Sequence, residues 1–355
     1  EAVVFYEAEK TPGKSSMAVI DKVGGKWTVV YNINSEYSDV YSISFSDLTG
    51  DGVNEFIVLW DVISNSVNHV LYVYAQNLSG EYSLSPIGSE LTVNNCITVD
   101  MDLDTVNEML AFTIESGDSV SSTATLYEYS LNGRETLGRT KLDGHISYYS
   151  DIQYNVDEDR VYIYADAVKS DGTQMLTEVI YWSDYYDTII SPFYSYSNGT
   201  TSSTVRSSMI SCDDVDDDGI IEIPTDVQMD DIPSDVKAVE WNKYNDSVLV
   251  TACYSLVVQK DQYQLIIPDE YFDEIKVLYS PESSLLTVTD DNDNSLFSVM
   301  CVLKAHYNPS SSAYKGFSEI DESSGYVYLA QEGESGNADF SVQSVKSMIR
   351  TDKGE

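Results

Sequence analysis

Short apolar runs of four to eight residues recur along this chain, divided by clusters of Asp, Asn, Gly and Ser. Some are continuous, such as EFIVLWDV at 55–62 and EMLAFTI at 108–114, and others alternate, such as HVLYVYA at 69–75 and TATLYEY at 123–129. Runs of this length, rich in β-branched and aromatic residues, predict strands; the continuous ones predict strands buried on both faces. NLSG at 77–80 and LNGR at 131–134 are turn signals between such strands. Residues 1–33 read as three strands, VVFYEAE, SMAVIDKV and KWTVVYNI. TDDNDNS at 289–295 reads as a hairpin turn, and FSVQSVKSMIR at 340–350 carries apolar residues at helical spacing.

The polar clusters are themselves patterned. DLTGDGVNEF begins at Asp47, DMDLDTVNEM at Asp100 and DVDDDGIIEI at Asp214, each leading into an apolar run. The first two are 53 residues apart and the next interval is 114, twice 57, so a further copy is expected near residue 157. There YNVDEDRVYIYA, 154–165, is a worn acidic turn followed by an alternating strand. A period in this range marks stacked supersecondary units, and four strands per period is the pattern of β-propeller blades. The expected fold is therefore mainly β: a propeller-like array of about five four-stranded blades, the first partial, over 1–257, then a small α+β domain over 258–355. A closed ring and an open stack of units remain alternatives.

Composition narrows the function. Nineteen basic against 59 acidic residues give a net charge of −40, which excludes the clustered Lys and Arg that nucleic acid or anionic lipid demands. Twenty-eight tyrosines against nine phenylalanines suit half-wet strand faces. No apolar run is long enough to span a membrane. The chain opens at Glu1 without an initiating Met, and a targeting segment is expected to have been removed ahead of it. Cys96, Cys212, Cys253 and Cys301 form no CxxC pair, lie beside apolar runs and are expected to be free thiols. His69, His145 and His306 stand apart, and no nucleophile, phosphate-loop or zinc motif occurs.

The acidic loops point to calcium. This hard cation takes six to eight oxygens, which a curled loop supplies from alternate positions, with Gly permitting the sharp turn. At 214 the expected ligands are Asp214, Asp216, Asp218, the carbonyl of Ile220 and Glu222, with Gly219 at the turn. At 47 they are Asp47, Thr49, Asp51, the carbonyl of Val53 and Glu55, with Gly52. The copy at 100 keeps Asp100, Asp102, Asp104 and Glu108 but places Thr105 where Gly is wanted, so weak binding, or none, is expected there. The alternative is that all are ordinary polar turns.

SDLTGDGVNEFIV and DDVDDDGIIEIPT resemble the FG-GAP / VCBS-type repeats of integrin-like β-propellers. That resemblance implies calcium between the first two strands of a blade, and a secreted or surface-attached bacterial binding module. It covers 1–257 at most, and the FG and GAP signatures themselves are not visible. Two functions follow: a non-catalytic extracellular binding or adhesion module, monomeric, with a protein or carbohydrate ligand, or a carbohydrate-active enzyme using paired carboxylates in a propeller channel.

Overall fold

The structure, a computed structural model, describes residues 2–62, 68–77, 82–115, 120–157, 159–246 and 248–351. The turn expected at 77–80 lies mostly outside these residues. The chain divides into two compact units, Glu1–Val205 and Arg206–Glu355.

The first unit is a run of antiparallel sheets, each a meander in chain order. Sheet 1 is β1 (Ala2–Glu7), β2 (Ser15–Val23) and β3 (Lys26–Asn34). Sheet 2 is β4 (Asp39–Ser46), β5 (Glu55–Asp61), β6 (His69–Asn77) and β7 (Ser83–Pro86), with β8 (Leu91–Val93) sharing the outer edge of β6. Sheet 3 is β9 (Asn95–Val99), β10 (Glu108–Glu115), β11 (Ser121–Ser130) and β12 (Gly133–Leu142). Sheet 4 is β13 (Ile146–Asp157), β14 (Arg160–Lys169), β15 (Met175–Ser183) and β16 (Thr188–Ile190), followed by the small ribbon β17 (Tyr194–Ser195) and β18 (Thr200–Thr201).

These sheets stack face to face, because the continuous apolar runs have two faces to bury. Phe56, Val58 and Trp60 of β5 pack on Met17 and Val19 of sheet 1. The alternate residues Ile57 and Leu59 pack on Met109 and Ala111 of β10. Leu110 and Phe112 of β10 then meet Ile163, Ala165 and Ala167 of β14. Trp60 is fully buried between sheets, edge-on to Phe5 at 5.7 Å, filling a gap rather than offering a binding face.

The second unit has two five-stranded sheets. One contains β19 (Ile223–Asp226), β20 (Lys237–Asn245), β21 (Val248–Val258) and β22 (Tyr263–Ile267). A single helical turn, α1 (Asp269–Phe272), leads to β23 (Ile275–Ser280), β24 (Leu285–Asp290), β25 (Ser295–Leu303), β26 (Ser318–Glu322) and β27 (Tyr326–Glu332), ordered β23-β24-β25-β27-β26. Helix α2 (Val342–Met348) is capped by the Ser341 side chain, and β28 (Ile349–Thr351) then pairs with β22. The core joins Leu256, Leu265 and Ile267 to Val288, Phe297 and Val299, closed by Phe340, Val345 and Met348. The opposite face of the first sheet, with Val239, Trp241 and Val257, is covered by Ile210 and Val215.

The fold is mainly β, and among the described residues no sheet closes into a barrel. The break expected after residue 257 falls inside one sheet: β21 runs through that position and pairs with both β20 and β22. An acidic turn followed by an apolar strand does not say which body the strand joins. The four cysteines are free.

Candidate functional site

Each acidic loop precedes the same kind of strand, entering β5, β10 and β19 respectively. The three share one local conformation. The fourth residue has a positive φ in all of them: 68° at Gly50, 61° at Leu103 and 61° at Asp217. The sixth does too, with 83° at Gly52, 82° at Thr105 and 87° at Gly219. The first Asp accepts a hydrogen bond from the sixth backbone N–H at 2.8 Å for Gly52, 2.9 Å for Thr105 and 2.8 Å for Gly219. The closing Glu accepts from the second N–H, that of Leu48, Met101 or Val215.

Thr105 thus holds a conformation that suits glycine, at a strain of order 1–3 kcal/mol. Thr105→Gly is expected to stabilise the first unit by about 1 kcal/mol, the relieved strain exceeding the added chain entropy. Urea unfolding of the two proteins reads this directly, and equal stability would mean the loop relaxes around threonine.

The closing glutamates sit at the base of each loop. Glu55, Glu108 and Glu222 are almost wholly buried. Burial raises the Glu108 carboxyl to about 7, aided by the charges of Asp102, Asp104 and Asp100. Glu222 is likewise pushed up to about 7, first by burial. Glu55 is raised by burial and by Asp51 and Asp47.

Beyond that shared frame the loops differ. Oxygens of Asp100, Asp102 and Glu108 converge within 4.8 Å of one another; Asp104, like Asp51 and Asp218 in the other two loops, accepts the backbone N–H two residues on. No basic side chain among the described residues bridges the loop at 100. At 47 the carboxylates do not gather so closely, but Asp47 Oδ1 is buried and accepts no hydrogen bond. At 214 the oxygens of Asp214, Asp216 and Asp218 also converge within 4.8 Å. Here, however, the Lys243 ammonium on β20 donates to Asp216 at 2.9 Å and to Asp218, and lies 3.3 Å from Glu222 Oε1. Burial opposes its charge, but hydrogen bonds to Asp218 and Asp216 outweigh that and raise its pKa. The cation among these carboxylates is a side chain.

All three loops fit a hard cation by donor chemistry; among the described residues those at 47 and 100 lack a neutralising partner, whereas the one at 214 has Lys243. The loops at 47 and 100 are also neighbours. Asn107 donates from its side chain to Ser46 Oγ at 2.9 Å, and Val106 packs against Gly50. The worn copy at 154–165 takes the corresponding place between β13 and β14 as a tight hairpin, with Asp157 opposite Arg160.

Two further groups of polar residues escaped the sequence reading. A cleft of about 700 Å³ is lined by Asn68, Asn94, Thr113, Glu115, Tyr127 and Arg139, together with Thr92, Ile114, Thr125 and Thr136. Glu115 is its one carboxylate among the described residues. The second group is buried at one end of sheet 4, where Asp143 and Glu178 are both fully enclosed. Asp143 is held below the usual carboxylate range, its burial outweighed by Lys169 Nζ at 2.9 Å and by the backbone N–H groups of His145 and Thr201. Burial pushes Glu178 up to about 7. Both groups draw residues from distant strands, so no local motif marks them.

No family model and no curated protein matches this chain. Among solved structures it is similar to the exotype rhamnogalacturonan lyase YesX, with a TM-score of 0.37 and 11% identity over 82% of this chain and 65% of that one. The chain thus spans about two thirds of the length of that lyase. It is also similar to MPT-1, a GDP-Man-dependent mannosyltransferase from Leishmania mexicana, with a TM-score of 0.30 and 9% identity over 74% of this chain and 84% of that one.

Proposed function

We propose that this chain is a non-catalytic binding module of the cell surface or extracellular space. Its sheets act as the blades of an open, propeller-like array of the FG-GAP / VCBS type, stiffened by calcium in the loops at 47 and 100. The observation that carries the metal is the contrast between three loops of one conformation. One is bridged by Lys243, and two hold buried or convergent carboxylates with no cationic side chain beside them among the described residues. Asp100, Asp102 and Glu108 would hold one ion, and Asp47, Thr49, Asp51, the Val53 carbonyl and Glu55 the other. Bound calcium supplies charge compensation and pins the turn.

The same features weigh against an enzyme. Hydrolysis of a glycoside by two carboxyl groups needs a pair roughly 5–10 Å apart and open to substrate. Among the described residues the polar cleft offers Glu115 alone, and the Asp143–Glu178 pair is sealed from solvent. The cleft, with Arg139 and Tyr127 among amides and hydroxyls, suits a polar ligand such as a carbohydrate.

The test is melting temperature in EDTA and in excess calcium, for the wild type and for the Asp47→Ala/Asp100→Ala double variant. Calcium at one hundred times its dissociation constant adds about 2.7 kcal/mol per site, or roughly 5–10 °C for a unit of this size. The double variant is expected to lose that rise. An equal rise in both proteins would place the ion elsewhere, and no rise in either would reduce the loops to polar turns.

A further inference from the structure

The face of sheet 3 that meets sheet 2 changes character from strand to strand. On β10 it offers Met109 and Ala111, which join the core shared with β5. The hydrogen-bond register sets Thr123, Thr125 and Tyr127 of β11 along the next row, and Lys141, Arg139 and Thr136 of β12 along the last. Hydroxyls and cations thus stand where a joint between two sheets would carry Val or Leu, and the polar cleft opens there. Its other wall is polar as well: Asn94, almost wholly buried, accepts from the Ile114 backbone N–H and donates to Asn68 Oδ1 at 2.9 Å. Arg139 Nη2 donates to Thr123 Oγ1 at 3.2 Å, and that hydroxyl shares a 2.7 Å hydrogen bond with Thr113. Arg139 and Lys141 are exposed, and neither forms an ion pair among the described residues, in a chain of 59 acidic and 19 basic residues. Arg134, on the same face of β12, is engaged elsewhere: it lies over the Tyr127 ring at 5.3 Å and donates to Ser89 Oγ at 3.2 Å. Glu115, the carboxylate of the cleft, accepts from Ser121 Oγ at 3.1 Å.

We propose that this cleft binds a short stretch of an acidic oligosaccharide, with sugar carboxylates on Arg139 and Lys141 and sugar hydroxyls on the Asn and Thr side chains. Two residues apart on one strand face, the two cations stand about 6.7 Å apart along β12, so they engage successive anionic groups rather than a single ion. The guanidinium offers the donor fork that a carboxylate fits, and its hydrogen bond to Thr123 fixes its position before a ligand arrives. Amides and hydroxyls both donate and accept, which matches a sugar hydroxyl. The net charge of −40 repels anions elsewhere on the chain, so an acidic ligand gains only where it reaches these two cations. This inference rests on the reading of the chain as a binding module with a carbohydrate in this cleft but not on the metal. Its test is therefore run in EDTA, where calcium cannot bridge a uronate to the acidic loops.

A tetramer of glucuronate, joined as in cellulose, is titrated into the 355-residue chain by calorimetry. Saturable binding is expected, weaker as salt rises. Arg139→Gln/Lys141→Gln is expected to weaken it about tenfold or more, whereas Lys315→Gln, which removes a charge from the second unit, is expected to leave it unchanged. Cellotetraose, the same chain with each carboxylate reduced to an alcohol, and a capped tetra-aspartate of equal charge are each expected to bind about tenfold more weakly or worse. Equal binding of cellotetraose would overturn the acidic class while the binding-module reading stands. Equal binding of tetra-aspartate would overturn the proposal by giving the cleft to an acidic peptide. Saturable binding of none of the three would overturn both the proposal and the carbohydrate reading of the cleft, and undiminished binding by the double variant would remove the site from β12. Should the double variant melt early, Lys141→Gln alone decides, with an expected loss of about threefold.

Discussion

Glu178→Ala is expected to cost about 4 kcal/mol, the largest loss from any single truncation described here. The carboxylate on β15 accepts from the Asp143 backbone N–H at 2.7 Å, from Ser191 Oγ at 2.9 Å and from Thr201 Oγ1 at 3.0 Å. It therefore ties the loop before β13 and the segment after β16 to the middle of sheet 4. Alanine would leave those donors buried without partners, at about 1–3 kcal/mol each, partly recovered where the hydroxyls turn. Glu178→Gln keeps acceptor and bulk and should cost much less.

The pH response separates charge from packing. The folded-state pKa of Glu178 is raised, to about 7, above its ordinary 4.5. The native protein therefore binds the extra proton between those values, and stability falls as pH rises through that window. At about 1.4 kcal/mol per unit, the wild type should lose about 3 kcal/mol more than Glu178→Gln between pH 4.5 and 7.5. Asp143, with a lowered pKa, contributes stability that is lost only as pH falls below the ordinary carboxylate range, outside this window. Denaturant unfolding at several pH values measures the difference; parallel curves for the two proteins would mean that Glu178 keeps its charge in the fold.

Lys243→Met should destabilise the second unit by about 3 kcal/mol in EDTA and make its stability calcium-dependent. Removing one partner of a buried ion cluster leaves the other charges uncompensated, a loss of about 3–5 kcal/mol in fully enclosed cases. The lower figure applies because Lys243, Asp216 and Asp218 are partly exposed while Glu222 is enclosed. Without the ammonium, Asp214, Asp216 and Asp218 still converge, and a divalent cation is the simplest replacement. The wild-type second unit should melt at the same temperature with and without calcium, and the variant should not. A calcium response in the wild-type unit would show that the ion displaces the lysine.

What the sequence made legible was local. The loop conformation depends on positions four and six and on the first Asp and the last Glu, and all of these fall within nine consecutive residues. The three strands of residues 1–33 appear as β1–β3, and the helical spacing at 340–350 appears as α2, shortened by β28. Lys243 was not legible, because it lies 21 residues beyond Glu222 on a separate strand, and only the pairing of β19 with β20 brings it near. Asp143 and Glu178 were likewise ordinary acids among 59 until tertiary packing enclosed them. Thr105 shows the limit of judging a turn by its residue type, since tertiary packing keeps the loop against Ser46 and Gly50 in spite of the local cost.

Because each apolar core of the first unit lies between successive sheets, mechanical coupling there is nearest-neighbour, as along a row of leaning books. Stiffness is then transmitted only through adjacent joints. The joint between sheets 2 and 3 is the one that Asn107 and Ser46 clasp beside two acidic loops. An ion in either loop would tighten that single hinge, slowing the splay of the sheets on both sides of it and leaving the outer leaf at β1 the most compliant part of the row.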